Sequence, residues 1–361
     1  MVIGIEASRA NRLQKTGVEW YAYLLIQTLK RLPQAQHHSW FLYSNQPLSK
    51  GLEKGPSNWH ERRLNWPPKY LWTQARLSWE MKRRAPEVLF VPAHVLPRFA
   101  PERSVVTIHD VGFHRYPELY PARQVRYHEW ATKDIVKHAG KIMTVSEFSK
   151  QEIVEYYGAD PAKIFVTPLG LNHSQYRPGE KDFERPFAFY VGRLEKKKNI
   201  ANLVRGFTAW KASTESNLEL ILAGMPGSGY EEIQEAIDTS AVKDEIHVLG
   251  YITEDEKLRF MQQAQVYVQP SYYEGFGLPP LEAMACGTPV MASLGNSMLE
   301  ILGENNALFF APDDQEALAK GFDLMQDDKS RAELIQKGLA HVKQFTWQKT
   351  ATQTLEILTQ W

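Results

Sequence analysis

The chain has 361 residues, 43% of them hydrophobic and 23% charged, with 42 Lys and Arg against 42 Asp and Glu. This length fits about two ordinary domains with sizeable cores, and the composition excludes a disordered or collagen-like chain. A formal charge of +0 leaves no global field to attract nucleic acid or an anionic membrane, so any anion site must be local. The single cysteine, Cys286, excludes an internal disulfide and a cysteine metal cage and suits a reducing compartment. No signal-peptide pattern opens the chain and no run of about 18 apolar residues occurs, so a cytoplasmic protein is expected.

Short apolar runs alternate with longer amphipathic stretches, which is the pattern of parallel sheets covered by helices on both faces. In the first half, 2–7, 39–44, 87–92, 104–110 and 141–146 read as strands, and 17–32, 70–84, 121–138 and 147–157 as helices. In the second half, 187–193, 218–224, 245–250, 266–271, 288–293 and 307–312 read as strands, with helices over 199–211, 230–238, 254–263, 279–286, 297–302 and 314–326. Two successive open α/β sheets follow. The polar, proline-containing stretch before Phe187 marks a hinge. The predicted organisation is a first Rossmann-like domain over 1–172, a hinge linker over 173–186 and a second Rossmann-like domain over 187–345. A closing helix over 346–361 packs across the junction.

The run SYYEGFGLPPLEAMACGTPV carries the strongest signal. Gly275 and Gly277 leave the loop backbone bare, Pro279 and Pro280 suit a first helical turn, and Gly287 suits its stop. Unpaired amides and the positive end of a helix favour phosphate or sugar oxygens, and Glu274 and Glu282 bracket that tip with carboxylates that accept hydroxyls. The turn VGRLEKKKN adds Arg193 and Lys198 at the carboxyl end of a strand, where a fork and a point charge suit a diphosphate. Helix capping and a solvated turn are the competing explanations for these carboxylates and cations.

Glu274 and Glu282, with seven residues between them inside PSYYEGFGLPPLEAMACGTPV, resemble the E-x7-E signature of retaining GT-B glycosyltransferases of family 4. YVGRLEKKKNI, HVLGYITEDEKLRFMQQAQVYVQPS, TGVEWYAYLLIQTL, TIHDVGFHRYPELYP and FTWQKTATQTLEIL resemble further segments of that family, nearly end to end. The resemblance implies two Rossmann-like domains facing a cleft, with the last helix crossing back to the first. It implies that Arg193 and Lys198 hold a nucleotide diphosphate and that Glu282 holds the ribose hydroxyls. Glu274, with the amides of Gly275, Phe276, Gly277 and Leu278, would hold the donor sugar, and Ile252 would lie beside the base. From the first domain, Gly17 would let its loop approach the phosphate, and His109 with Asp110 would reach the sugar.

The activity implied is transfer of a hexose, with retained configuration, from a nucleotide-sugar to a hydroxyl of a glycan or lipid-linked acceptor. The HDVGFHRYPELYP segment resembles enzymes of surface-polysaccharide assembly, which favours GDP-mannose over UDP-glucose. No Asp-x-Asp pair occurs, so no metal and no other cofactor is expected. A non-catalytic nucleotide-sugar or glycan-binding protein on the same fold is the alternative from another class, and a phosphorylase would require pyridoxal phosphate. GMPGSG at 224–229 lacks the dinucleotide fingerprint, which sets aside an oxidoreductase. His94, His114 and His138 show no paired spacing, and Cys286 reads as a packed thiol. Residues 59–84, with Trp59, Trp66, Trp72 and Trp79 among basic residues, fit peripheral contact with an anionic bilayer, or an ordinary helix on the first sheet.

Overall fold

The computed structural model describes residues 1–68 and 71–361. The start of the helix expected over 70–84 lies outside the described residues. Two compact units emerge, Met1–Gly170 with Thr346–Trp361, and Leu171–Phe345. Their central sheets are all parallel.

In the first unit the strands are β1 (Val2–Glu6), β2 (Ser39–Ser44), β3 (Trp59–Arg63), β4 (Val88–Val91), β5 (Ser104–Thr107), β6 (Lys141–Thr144) and β7 (Ile164–Val166), in the order β3-β2-β1-β4-β5-β6-β7. Its helices are α1 (Gly17–Leu29), α2 (Ser78–Arg84), α3 (Gly112–Arg115), α4 (Ala122–His138) and α5 (Glu147–Tyr157). The central strands are mostly apolar because helices cover both faces; β4 and β5 are buried along their whole length. The edge strand β3, WHERR, is half exposed and highly charged, which blunts an open edge and hides it from a search for apolar runs. The short edge strand β7 escaped for a related reason, having only three residues.

The second unit contains β8 (Phe187–Val191), β9 (Glu219–Ala223), β10 (Ile246–Gly250), β11 (Val266–Gln269), β12 (Val290–Ser293) and β13 (Leu308–Phe310), ordered β10-β9-β8-β11-β12-β13. Its helices are α6 (Ile200–Lys211), α7 (Tyr230–Asp238), α8 (Glu254–Gln263), α9 (Leu278–Ala285), α10 (Met298–Leu302), α11 (Gln315–Leu324) and α12 (Asp328–His341). Helix α12 was not anticipated: it buries only Gly338, so its sequence carries no apolar stripe. The stretch over 173–186, expected as a hinge linker, falls within this unit. Gln262 Nε2 donates to the Arg177 carbonyl at 2.8 Å, and the Asp182 and Phe183 amides donate to Gln263 Oε1 at 2.7 and 3.0 Å.

The last helix, α13 (Trp347–Thr359), belongs to the first unit and packs on α1. Thr350 Oγ1 donates to the Pro168 carbonyl at 2.7 Å, and Lys141 Nζ donates to the Ile357 carbonyl at 3.1 Å. Ala351, Thr354 and Leu358 are fully buried. Leu358→Ala should therefore destabilise the protein by about 2–5 kcal/mol through lost burial and a residual cavity. Urea unfolding reads this; an unchanged midpoint would contradict the packing of α13.

Candidate functional site

Parallel strands bring their carboxyl ends to one edge of each sheet, and the expected residues gather there. In the second unit, the turn after β8 and the glycine turn after β9 approach so closely that a Cβ on Gly224 would fall 1.7 Å from the Gly192 carbonyl oxygen. The two turns then run together: Leu194 N donates to Met225 O at 3.0 Å, Gly227 N to Leu194 O at 2.8 Å, and Lys196 N to Ser228 O at 2.8 Å. GMPGSG, set aside as a dinucleotide loop, is thus the brace under the Arg193–Lys198 turn. Arg193 stays two-thirds exposed, with Glu195 at 3.9 Å. Lys198 is mostly buried.

Lys198 Nζ donates to Glu274 Oε1 at 2.7 Å. The same oxygen accepts Gln269 Nε2 and Ser271 Oγ, each at 2.7 Å. Among the described residues no hydrogen bond reaches Oε2 of Glu274, so three donors fix the carboxylate and leave one oxygen uncommitted. Burial pushes this carboxyl up, but the Lys198 ammonium, the two hydrogen bonds from Lys198 and Ser271, and the Lys197 charge outweigh it and hold the group below the ordinary range. Ser297 supports the loop, its hydroxyl donating to the Glu274 carbonyl at 2.8 Å. Gln269, Ser271 and Ser297 were missed by the sequence reading; the first two flank the motif at the end of β11, which was the available signal.

The tip of α9 narrows one expectation. Gly277 caps the helix at φ 88°, Leu278 begins it, and Pro279 and Pro280 follow. Prolines carry no N–H, so two of the four donors that a helix start offers are missing here. Donation falls to the loop backbone over 275–278 and to side chains. Phe276 is buried, its ring meeting Phe345 edge-on at 6.0 Å, and so anchors that loop.

Glu282, one turn into α9, is 9% exposed. Lys257 Nζ of α8 lies 3.2 Å from its Oε2, within ion-pair reach yet outside hydrogen-bond alignment, and that buried oxygen has no hydrogen-bond partner. Burial raises this carboxyl above the ordinary range; the Lys257 ammonium opposes the shift, Glu254 adds to it, and the Tyr176 hydroxyl opposes it. Ile252 is half-buried on the turn between β10 and α8, beside Tyr251, which is 75% exposed. Cys286 is buried and its thiol is pushed up to about 12 by burial, as a packed thiol should be.

In the first unit, Gly17 is the first residue of α1, and a Cβ there would meet nothing within 4 Å. Packing does not require this glycine. His109 follows β5 and is buried, with Nε2 3.1 Å from the Pro92 carbonyl; a carbonyl accepts, so Nε2 carries the proton. Burial lowers its pKa to about 4 despite that hydrogen bond and the Asp110 charge. Asp110 Oδ1 accepts the Gly112 amide at 3.1 Å and shapes the turn into α3.

His94, read as isolated, lies beside His109, with ring centroids 5.3 Å apart and His128 at 5.8 Å on its other side. The spacing along the chain hid a cluster that the ends of β4 and β5 create. His114 and His138 are instead tied to Glu129 and Asp134, at 2.5 and 3.0 Å.

Next to this cluster a cavity of about 780 Å³ is lined by Glu6, Arg9, Asn11, Gln46, Trp72 and Tyr127, among others. Glu6 is 3% exposed, and only its Oε1 is engaged, by the amide and hydroxyl of Ser8. Arg9 and Arg12 both pair with Glu19, at 3.5 and 3.0 Å. The tryptophan-rich stretch divides: Trp72 is buried and donates to the Leu64 carbonyl at 3.1 Å, and Trp59 stacks on Trp40 at 4.5 Å. Trp79 is 52% exposed.

The model described as Glycosyl transferases group 1 matches residues 174–341, and Glycosyltransferase Family 4 matches 15–175. An Escherichia coli protein named O-antigen chain mannosyltransferase B is 32% identical over 292 residues, 78% of this chain and 76% of that protein. Several other relatives are covered over only 52 to 60% of their own length. Among solved structures, sucrose-phosphate synthase from Thermosynechococcus elongatus superposes with a TM-score of 0.78 at 20% identity, over 100% of this chain and 98% of that one. Anabaena HepE in complex with UDP and glucose gives 0.73 at 15% identity, over 100% and 99%. These two show the shared fold.

A pH dependence follows from His109. The unfolded imidazole takes a proton near pH 6.5 whereas the folded one resists until about pH 4, so stability is lost as pH falls through that window. His109→Gln should flatten the dependence of urea stability on pH between about 6.5 and 4. Equal slopes in wild type and variant would contradict a buried neutral imidazole.

Proposed function

Because the chain belongs to the family-4 glycosyltransferases, also called glycosyl transferases group 1, we propose that it transfers a mannosyl residue from GDP-mannose to a glycan hydroxyl, with retention and without a metal ion. The observation that carries the reading is Glu274, pinned through one oxygen by Lys198, Gln269 and Ser271 with the other left for a ligand. The mannosyl assignment and a role in surface polysaccharide rest on the Escherichia coli relative; a nucleotide-sugar donor is supported by the UDP complex of HepE.

The chemistry breaks the bond between the anomeric carbon and a phosphate oxygen, so positive charge grows on the sugar ring and negative charge on the departing diphosphate. Stabilising the diphosphate is the principal electrostatic demand. Arg193 and Lys198 supply fixed cations for it, and Glu274 orients the sugar hydroxyls. The acceptor oxygen attacks on the face from which the diphosphate leaves, and its proton passes to the leaving phosphate oxygen. With its imidazole neutral, His109 would act as a hydrogen-bonding group and not as a charged acid.

The cavity beside His94 and His109 suits the acceptor: amides and the uncommitted Glu6 oxygen meet hydroxyls, and Trp72 and Tyr127 offer apolar sugar faces a surface. No described helix is long and apolar enough to cross a membrane. Peripheral docking on an anionic bilayer is supported by the exposed Trp79 and Phe99, which lie against Arg83, Lys82 and Arg98.

Arg193→Ala and Lys198→Ala should each lower turnover at least tenfold, the effect of losing a charge-assisted contact of about 1.5–3 kcal/mol. Transfer assays with GDP-mannose, UDP-glucose and ADP-glucose, with and without a chelator, measure this and identify the donor. Wild-type turnover in both variants, or strict dependence on added divalent metal, would reject the mechanism. In co-sedimentation, anionic liposomes at low salt should retain wild type more than a Trp79→Ala, Phe99→Ala double variant. No retention of wild type removes the membrane contact.

A further inference from the structure

Glu282 presents a physical problem that its expected role makes sharper. A carboxylate that accepts a pair of ribose hydroxyls must be ionised, yet burial favours its neutral form. One cation faces it, Lys257, whose own side chain is 15% exposed. Lys257 is in turn held: its ammonium lies 2.8 Å from Glu254 Oε2 and 5.3 Å from the Tyr176 ring centroid. The Tyr176 hydroxyl donates to the same Glu254 oxygen at 3.2 Å. Three elements converge on one carboxylate: α8 brings Lys257 and Glu254, the segment before β8 brings Tyr176, and α9 itself brings Cys286. The buried Tyr267 of β11 also feels the Glu282 charge.

We propose that Lys257 is the positioning residue for nucleoside recognition, keeping Glu282 ionised and fixed so that it can accept ribose hydroxyls. The proposal rests on Glu282 contacting the nucleoside. Lys257 does not touch the ligand; it acts through Glu282, and Glu254 with Tyr176 keeps the ammonium in place. Lys257 stabilises the anion from 3.2 Å, and the Tyr176 hydroxyl acts on the same carboxylate in the same direction.

The test measures affinity by calorimetry for GDP and 2′-deoxy-GDP, or for UDP and 2′-deoxy-UDP if uridine binds better. Lys257→Met should weaken the ribonucleotide at least tenfold at pH 7.5 and shrink its preference over the deoxy form. Raising the pH should recover binding in Lys257→Met more than in wild type, because burial holds the Glu282 carboxyl above the ordinary range and the variant lacks the ammonium that opposes it. Lys257→Arg should bind as wild type does. Should Lys257→Met fail to fold, Tyr176→Phe replaces it and should reduce the ribo-over-deoxy preference in the same direction by a smaller factor. Glu282→Gln separates the two levels of the argument. If it leaves the ribo-over-deoxy preference intact, the reading of Glu282 is wrong; if it abolishes the preference while Lys257→Met keeps it at every pH, the proposal for Lys257 is overturned.

Discussion

The second unit is organised around one ion pair, Lys198 with Glu274. Each partner sits on a turn that leaves the carboxyl end of a strand, so their contact at 2.7 Å fixes two loops relative to each other as well as two charges. A buried pair of this kind carries a desolvation cost and is stable only when its remaining valences are met. Gln269 and Ser271 meet them on the same oxygen, and the glycine turn over 224–229 braces the backbone that presents Lys198. Electrostatic preorganisation in the absence of ligand is therefore built from neutral donors arranged around a single salt bridge.

Glu282 shows the opposite solution to a related problem. Both acids lie on the same short segment, but Glu274 is saturated with hydrogen bonds on one oxygen whereas Glu282 has a neighbouring ammonium and a buried Oε2 without a hydrogen-bond partner. Their acidities are displaced in opposite directions as a result, Glu274 below the ordinary range and Glu282 above it. Two prolines at the start of α9 remove N–H groups between them, which shifts the task of meeting a ligand's charge from the helix end to side chains.

Much of the fold was legible because strands buried on both faces must be apolar runs, and those runs sat where β1, β2, β8 and β11 form. The failures have physical causes. The charged edge strand β3 and the polar helix α12 bury too little to leave a periodic trace, so no pattern marked them. In the site, Glu274, Glu282, Arg193 and Lys198 were visible because glycines and prolines punctuate the loops that carry them. Lys257, Tyr176 and His94 were not, since each acquires its significance from a neighbour on a different strand or helix. Local sequence reports which groups can do chemistry; the ends of parallel strands decide which of them meet.

The first unit is discontinuous along the chain. Its sheet is complete by Val166, but the helix that covers α1 consists of the last residues, Trp347–Thr359. During synthesis the amino-terminal sheet must therefore wait, with an apolar face uncovered, while the whole intervening unit is made and can fold as a contiguous piece. A ribosome that stalls late releases a product with an intact second unit and an unfinished first one. Such a fragment would be sticky and a natural client for chaperones, so quality control in the cell would be sensitive to the codons for Trp347–Thr359.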